Sequence, residues 1–232
     1  MIKDTKTLWL AIIGGIIPSL LWLWFWLKED EEKPEPRCVL AMCFVVGVIA
    51  VIFVLPVEKF IQSLTGSHAL QIVGWATAEE IIKFLAVAIV VYRTRYISQP
   101  IDWPIYIITT AVGFAAFENT LFLIKKTPPG LDQATVSLLI GHLRFLGATL
   151  LHTVSSGIIG ISLGLGLNME SWKKKIYLII GLVCAIALHS IFNFFIMDNN
   201  GSDFLKIFGF LWVVTIIIML LFEKLRRMSG EN

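Results

Sequence analysis

Charge is the scarce component of this sequence. Only 16% of its 232 residues are Asp, Glu, Lys or Arg, against roughly 25% in soluble domains, and 57% are apolar. Together with a mean hydropathy of +0.81, this excludes an aqueous globule and a disordered chain. The net charge of +2 gives no basic field for a polyanion, so nucleic-acid binding is excluded as well. Cysteine is also sparse. Cys38, Cys43 and Cys184 are odd in number, have no metal-ligand spacing and lie in or beside apolar runs. They read as small hydrophobes, with neither a disulfide framework nor a zinc knuckle. Two hydrolase signatures are missing too: the H-E-x-x-H zinc helix and the G-x-G-D aspartyl motif. There is no internal repeat and no connector long enough to hold a soluble domain.

What remains is apolar runs. About 20 apolar residues cross a hydrocarbon core. Seven stretches qualify: 8–27, 38–57, 69–92, 103–124, 147–167, 176–197 and 204–222. The expected fold is therefore an all-α, polytopic transmembrane bundle forming one integral-membrane domain over 1–232, with its motif-bearing core at about 69–197. The first run follows Lys3 and Lys6 but is too long for a signal peptide and lacks a cleavage site. Residues 134–167 are too long for one crossing and too short for two. Their first part, with His142 and Arg144, reads as a half-helix leading into the fifth crossing; an eighth span is the alternative. With seven crossings, one side carries Lys3, Lys6, Lys59, Lys125 and Lys126. The other carries Lys28, Lys33, Arg37, Arg93, Arg95, Lys173, Lys174, Lys175, Lys224, Arg226 and Arg227. The positive-inside rule makes the second side cytoplasmic, with the N-terminus outside.

Ionisable residues inside spans are costly and mark function by default. Aspartate is absent from every span. Apart from Lys206 at the edge of the last span, the exceptions fall in four consecutive helices: Glu79, Glu80 and Lys83, then Glu118 with Asn119, then His152, then His189 with Asn193. Counted from the outer span ends at 1.5 Å per residue, these groups lie roughly 7–15 Å deep, in a single layer. Glu79 and Lys83 (i, i+4), Glu80 and Lys83 (i, i+3), and His189 and Asn193 (i, i+4) share helix faces, so each partner can orient the other.

Three carboxylates and two imidazoles at one depth suffice to activate a water molecule. A glutamate poised between burial and the Lys83 charge could be the general base. Alternatively, Glu118, His152 and His189 could bind Zn²⁺ in a His₂Glu pattern, leaving Glu79 or Glu80 as base. Both schemes hydrolyse a bond with an activated water, and the residues do not choose between them. Ser155 and Ser156, one turn after His152, are a weaker nucleophile option. A proton-coupled transporter using the same groups as a relay is the alternative from another class, although the paired broken helices and internal symmetry of such proteins are missing.

The motif order resembles the PrsW family of intramembrane peptidases, distant relatives of the CAAX-processing and bacteriocin-processing glutamate peptidases. Residues 79–83 read E-E-x-x-K, 113–119 read G-F-x-x-x-E-N, and 189–193 read H-x-x-x-N, with His152 between them. The relatives typically carry E-E-x-x-x-R and F-x-x-x-H. Lys83 stands one residue earlier than their arginine, and Glu118 replaces their second-motif histidine. The resemblance implies peptide-bond hydrolysis of membrane-anchored protein substrates in a prokaryotic cell membrane, with Glu79, Glu80, Glu118, His152, His189 and Asn193 as site residues. Lys83, Asn119 and Arg144 would support them. It leaves the metal question open, since PrsW proteins have been classed as metal-dependent and the glutamate peptidases have not.

Some polar or small residues have plainer readings. His142 reads as interfacial, and Arg144 as a partner for Glu118 or Glu80 or as a headgroup-seeking side chain. Gly157, Gly160 and Gly164 form a small face suited to close helix packing.

Overall fold

The computed structural model describes residues 5–28, 35–94, 96–126, 131–198 and 204–230, except the side chains of 131–146 and of a few helix-end residues. Seven helices follow one another: α1 (Thr5–Lys28), α2 (Arg37–Leu64), α3 (His68–Thr94), α4 (Asp102–Lys126), α5 (Leu131–Gly166), α6 (Ser171–Asp198) and α7 (Phe204–Gly230). No strand occurs among the described residues. Six of the helices are long and apolar enough to cross a membrane. The exception is α3. It has 27 residues, about 40 Å of helix, but Glu79, Glu80 and Lys83 at its centre lower its hydropathy. Its length matches a crossing, and its charge marks what the bundle encloses.

The helices are apolar on both sides, as a bundle in lipid requires. Phe53, Ile89, Tyr92, Ile179 and Leu220 point outward, whereas Ile105, Ile108, Leu150, Val154 and Phe222 fill the interior. Trp26 lies buried against Phe222. Residues 134–167 resolve more simply than expected. The half-helix and the crossing are one continuous α5 of 36 residues, about 54 Å, of which Gly147–Gly166 is the apolar span. His142 and Arg144 sit on its first part, and their side chains lie outside the described residues.

α4 is the central element, packed against α1, α2 and α5. Glycine permits that crowding. A Cβ on Gly47 of α2 would strike the Thr110 carbonyl of α4, and one on Gly113 of α4 would strike the Phe44 carbonyl of α2. The two backbones therefore touch through reciprocal glycines. Gly160 and Gly164 of α5 meet the backbone of Pro104 and Pro100 in the same way, as their spacing suggested. With no hydrophobic drive between helices in lipid, such close contact is a main source of association.

Gly113→Ala should therefore destabilise the protein by about 1–3 kcal/mol, since backbone cannot move aside. Gly157→Ala places its Cβ 3.5 Å from Ile108, an ordinary contact. It should be neutral or gain up to about 1 kcal/mol of helix propensity. Unfolding of both variants in detergent micelles checks this, and equal effects would refute the backbone-contact argument.

Candidate active site

The polar layer is a connected cluster. Glu80 of α3 is fully buried and carries most of its bonds. Lys83 Nζ donates to its Oε1 at 2.7 Å and His189 Nδ1 donates to the same oxygen at 2.8 Å. Ser156 Oγ donates to Oε2 at 2.7 Å, and Ser155 Oγ lies 3.1 Å from Oε1. Ser155 also lies 2.8 Å from the Leu151 carbonyl, so its single proton is shared between two acceptors. Charge-assisted bonds of this kind are what permit a carboxylate to stay in a low-dielectric interior. The two serines therefore hold Glu80 and are not arranged as nucleophiles beside a base.

Lys83 connects the cluster to α5. Its ammonium has no lone pair, so the imidazole nitrogen it meets, His152 Nδ1 at 2.9 Å, must be the acceptor. That fixes His152 as the neutral tautomer with its proton on Nε2. Nε2 lies 2.8 Å from Glu118 Oε2, a buried oxygen with no other partner. The Lys83 ammonium also lies 4.7 Å from the ring centre of Phe114, the residue after Gly113. Phe114 is itself 5.5 Å from the His152 ring. Asn119 bonds to Thr149 of α5 through Nδ2 at 3.1 Å, joining the helices that bring Glu118 and His152 together.

Glu79 is different. Its Oε2 is buried without a hydrogen-bond partner. Around it, each at 3.7 Å, stand Lys83 Nζ, His152 Nδ1 and His189 Nε2. The His152 and His189 rings meet edge to face at 5.0 Å. Glu79, His152 and His189 each offer a ligand atom, all within 4.8 Å of one another. Among the described residues this is the set that could hold a metal ion; Glu118 is not a member. It differs by one residue from the set Glu118, His152, His189 considered on sequence. The chemistry of the donors fits a divalent ion. The site holds formally more carboxylate than cationic charge, Glu79 Oε2 lacks a donor, and Glu80 grips the far nitrogen of His189 as metal-site carboxylates do.

Both in-helix pairs expected for Lys83 form, and His152, His189, Glu79, Glu80 and Glu118 meet as one layer. Asn193 stands apart: it is half-buried, and no hydrogen bond links it to His189. Arg144 lies outside the described side chains. One residue escaped the sequence reading. Glu58 was placed in the connector after residue 57, but α2 continues through Pro56 to Leu64. The extra turns bring its carboxyl against Glu79 and within electrostatic reach of Glu118 and Lys125. Trp75 Nε1 donates to the Glu58 carbonyl at 3.2 Å, tying the two helices there. The drop in hydropathy after Val57 concealed it.

Residues 35–222 match the family model described as PrsW family intramembrane metalloprotease. The chain belongs to the PrsW family. It is similar to Protease PrsW of Shouchella clausii, 24% identical over 225 residues, covering 94% of this chain and 96% of that protein. Protease PrsW of Oceanobacillus iheyensis is 26% identical over 222 residues, with 94% and 95% covered. That of Bacillus subtilis is 25% identical over 206 residues, with 87% and 90% covered. No solved structure matches. The protein is thus an integral-membrane protease whose relatives are bacterial, and the transporter alternative is not favoured.

The adjacent glutamates should separate in stability measurements. Glu80→Ala leaves Lys83 and His189 with buried, unpaired groups and should cost about 3–5 kcal/mol. Glu79→Ala removes an oxygen that already lacks a donor and should cost no more than about 1 kcal/mol. Thermal unfolding in detergent reads both, and comparable losses would contradict the division.

Proposed function

We propose that this PrsW-family protease hydrolyses peptide bonds of membrane-anchored proteins with a water molecule activated inside the bundle, and that the working site contains a divalent metal ion, Zn²⁺ by the chemistry of its donors. The observation that carries this reading is the buried, donorless Glu79 Oε2, which stands 3.7 Å from both His152 Nδ1 and His189 Nε2. Glu79, His152 and His189 would hold the ion. When bound it supplies Lewis acidity and makes an attacking hydroxide available near neutral pH.

The chain's own groups supply the rest. Glu118 takes the proton from the water as its oxygen attacks the scissile carbonyl carbon. It then returns that proton to the departing amine nitrogen, so the step ends with one carboxyl and one amine terminus. Glu118 suits this task because its side chain is 47% exposed while its Oε2 is buried. It reaches from the cluster to the rim, where an extended peptide segment can approach. Glu80 keeps the His189 ring fixed, and Ser155 and Ser156 keep Glu80 fixed. Asn119 supports the site by joining α4 to α5 at Thr149, without touching the reacting atoms. The Lys and Arg asymmetry supports an N-terminus outside and a C-terminus in the cytoplasm, an orientation in which the cluster would lie in the outer half of the bilayer and meet substrates there.

The test is cleavage of a panel of single-span substrates by purified protein. Glu79→Ala, Glu118→Ala and His152→Ala should each lower the rate by about 10²–10⁴. A chelator should abolish activity in the native chain, and Zn²⁺ should restore it. Cleavage surviving all three substitutions would sink the assignment; cleavage indifferent to the chelator would remove the metal from it.

A further inference from the structure

Lys83 and a metal ion cannot both be satisfied in the way each requires. An imidazole nitrogen without a proton has one lone pair, directed in the ring plane. The His152 Nδ1 lone pair receives the Lys83 ammonium at 2.9 Å. It is also the His152 nitrogen that stands 3.7 Å from Glu79 Oε2. Nε2 points the other way, towards Glu118 at 2.8 Å. The ammonium also lies 3.7 Å from Glu79 Oε2, so it borders two members of the ligand set.

We propose that the Lys83 ammonium is a tethered competitor for the metal position: it holds the His152 Nδ1 lone pair in the metal-free protein and gives it up, keeping its bond to Glu80, when a divalent ion binds. The inference rests on the metal reading above and adds a residue to it. The arrangement has a clear physical purpose. Without an ion, Glu79, Glu80 and Glu118 would face one another with too little positive charge, and a histidine lone pair would be buried without a donor. Lys83 supplies the charge and the proton together. It can release His152 without becoming unpaired, because Glu80 Oε1 at 2.7 Å remains its acceptor. The i, i+3 spacing on α3 keeps that acceptor beside it whichever partner His152 takes. Lys83 is accordingly a positioning residue. It sets the His152 tautomer and the threshold at which metal enters, and it touches no reacting atom.

The experiment titrates Zn²⁺ into metal-stripped, full-length protein in detergent, reading affinity by competition with a chelating dye. The chains compared are the native protein and Lys83→Met, a variant of similar length with no proton to offer Nδ1. The variant should bind Zn²⁺ at least about tenfold more tightly, the scale on which neighbours of ligating histidines act. Equal or weaker binding by a folded Lys83→Met would overturn the competition while leaving the metal site standing. No binding by either chain would remove the metal reading and this inference with it. A second measurement needs no variant and covers the case in which Lys83→Met does not fold. In native protein carrying ¹⁵N-histidine, Zn²⁺ should move the His152 Nδ1 resonance and leave Nε2 protonated. Loss of the Nε2 proton instead would place the ion on the Glu118 side and refute the proposal.

Discussion

A carboxylate buried in a lipid-embedded bundle must be given its own solvent shell by the protein, and Glu80 is where this one does so. Its four donors come from three helices: Lys83 from its own α3, Ser155 and Ser156 from α5, and His189 from α6. Removing any one leaves a polar group stranded where water cannot replace it. The constraint reaches outward from there. It sets the depth of α6 against α3, the rotamer of His189, and through Lys83 the tautomer of His152. Glu79, one residue earlier, then finds itself among nitrogens already held in place, with an oxygen to spare.

The packing around this clamp has the same economy. α4 carries Glu118 and is pressed against α2 through Gly47 and Gly113. The G-F-x-x-x-E-N segment thereby combines three tasks within seven residues. Gly113 sets the backbone distance, Phe114 lies against both Lys83 and His152, and Glu118 reaches the Nε2 of that histidine. Asn119 then joins α4 to α5 at Thr149. A side chain of any size at residue 113 would move all of these relative to α3.

Much of this was legible in the sequence because lipid imposes simple rules. A charge inside a span marks function by default, and depth can be counted along the helices, so spacing alone puts Glu79, Glu118, His152 and His189 in one layer. The in-helix pairs of Lys83 followed from spacing alone. Partners across helices did not. Nothing in the spacing of Ser155 and Ser156 shows that they serve Glu80, nor that Glu79 and not Glu118 completes the set of donor atoms that could hold an ion. Those outcomes depend on helix rotation, which periodicity leaves free when a helix is apolar all round. Glu58 was hidden for another reason. Hydropathy reports where lipid ends, whereas α2 continues past that point into the polar margin. Asn193 shows the reverse limit, since a favourable i, i+4 spacing permits a bond with His189 but does not oblige one.

The order of the helices along the chain has a bearing on how the protein is made. α3 leaves the ribosome well before α5 and α6, and ionisable residues at the centre of a lone helix cost about 3 kcal/mol each on entering lipid. For much of synthesis, then, Glu79 and Glu80 have only one intended partner, Lys83, already beside them on the same helix. The in-helix ion pair is the part of the site that exists first. It lowers the charge α3 carries into the bilayer while the serines and histidines that will complete its shell have yet to be translated.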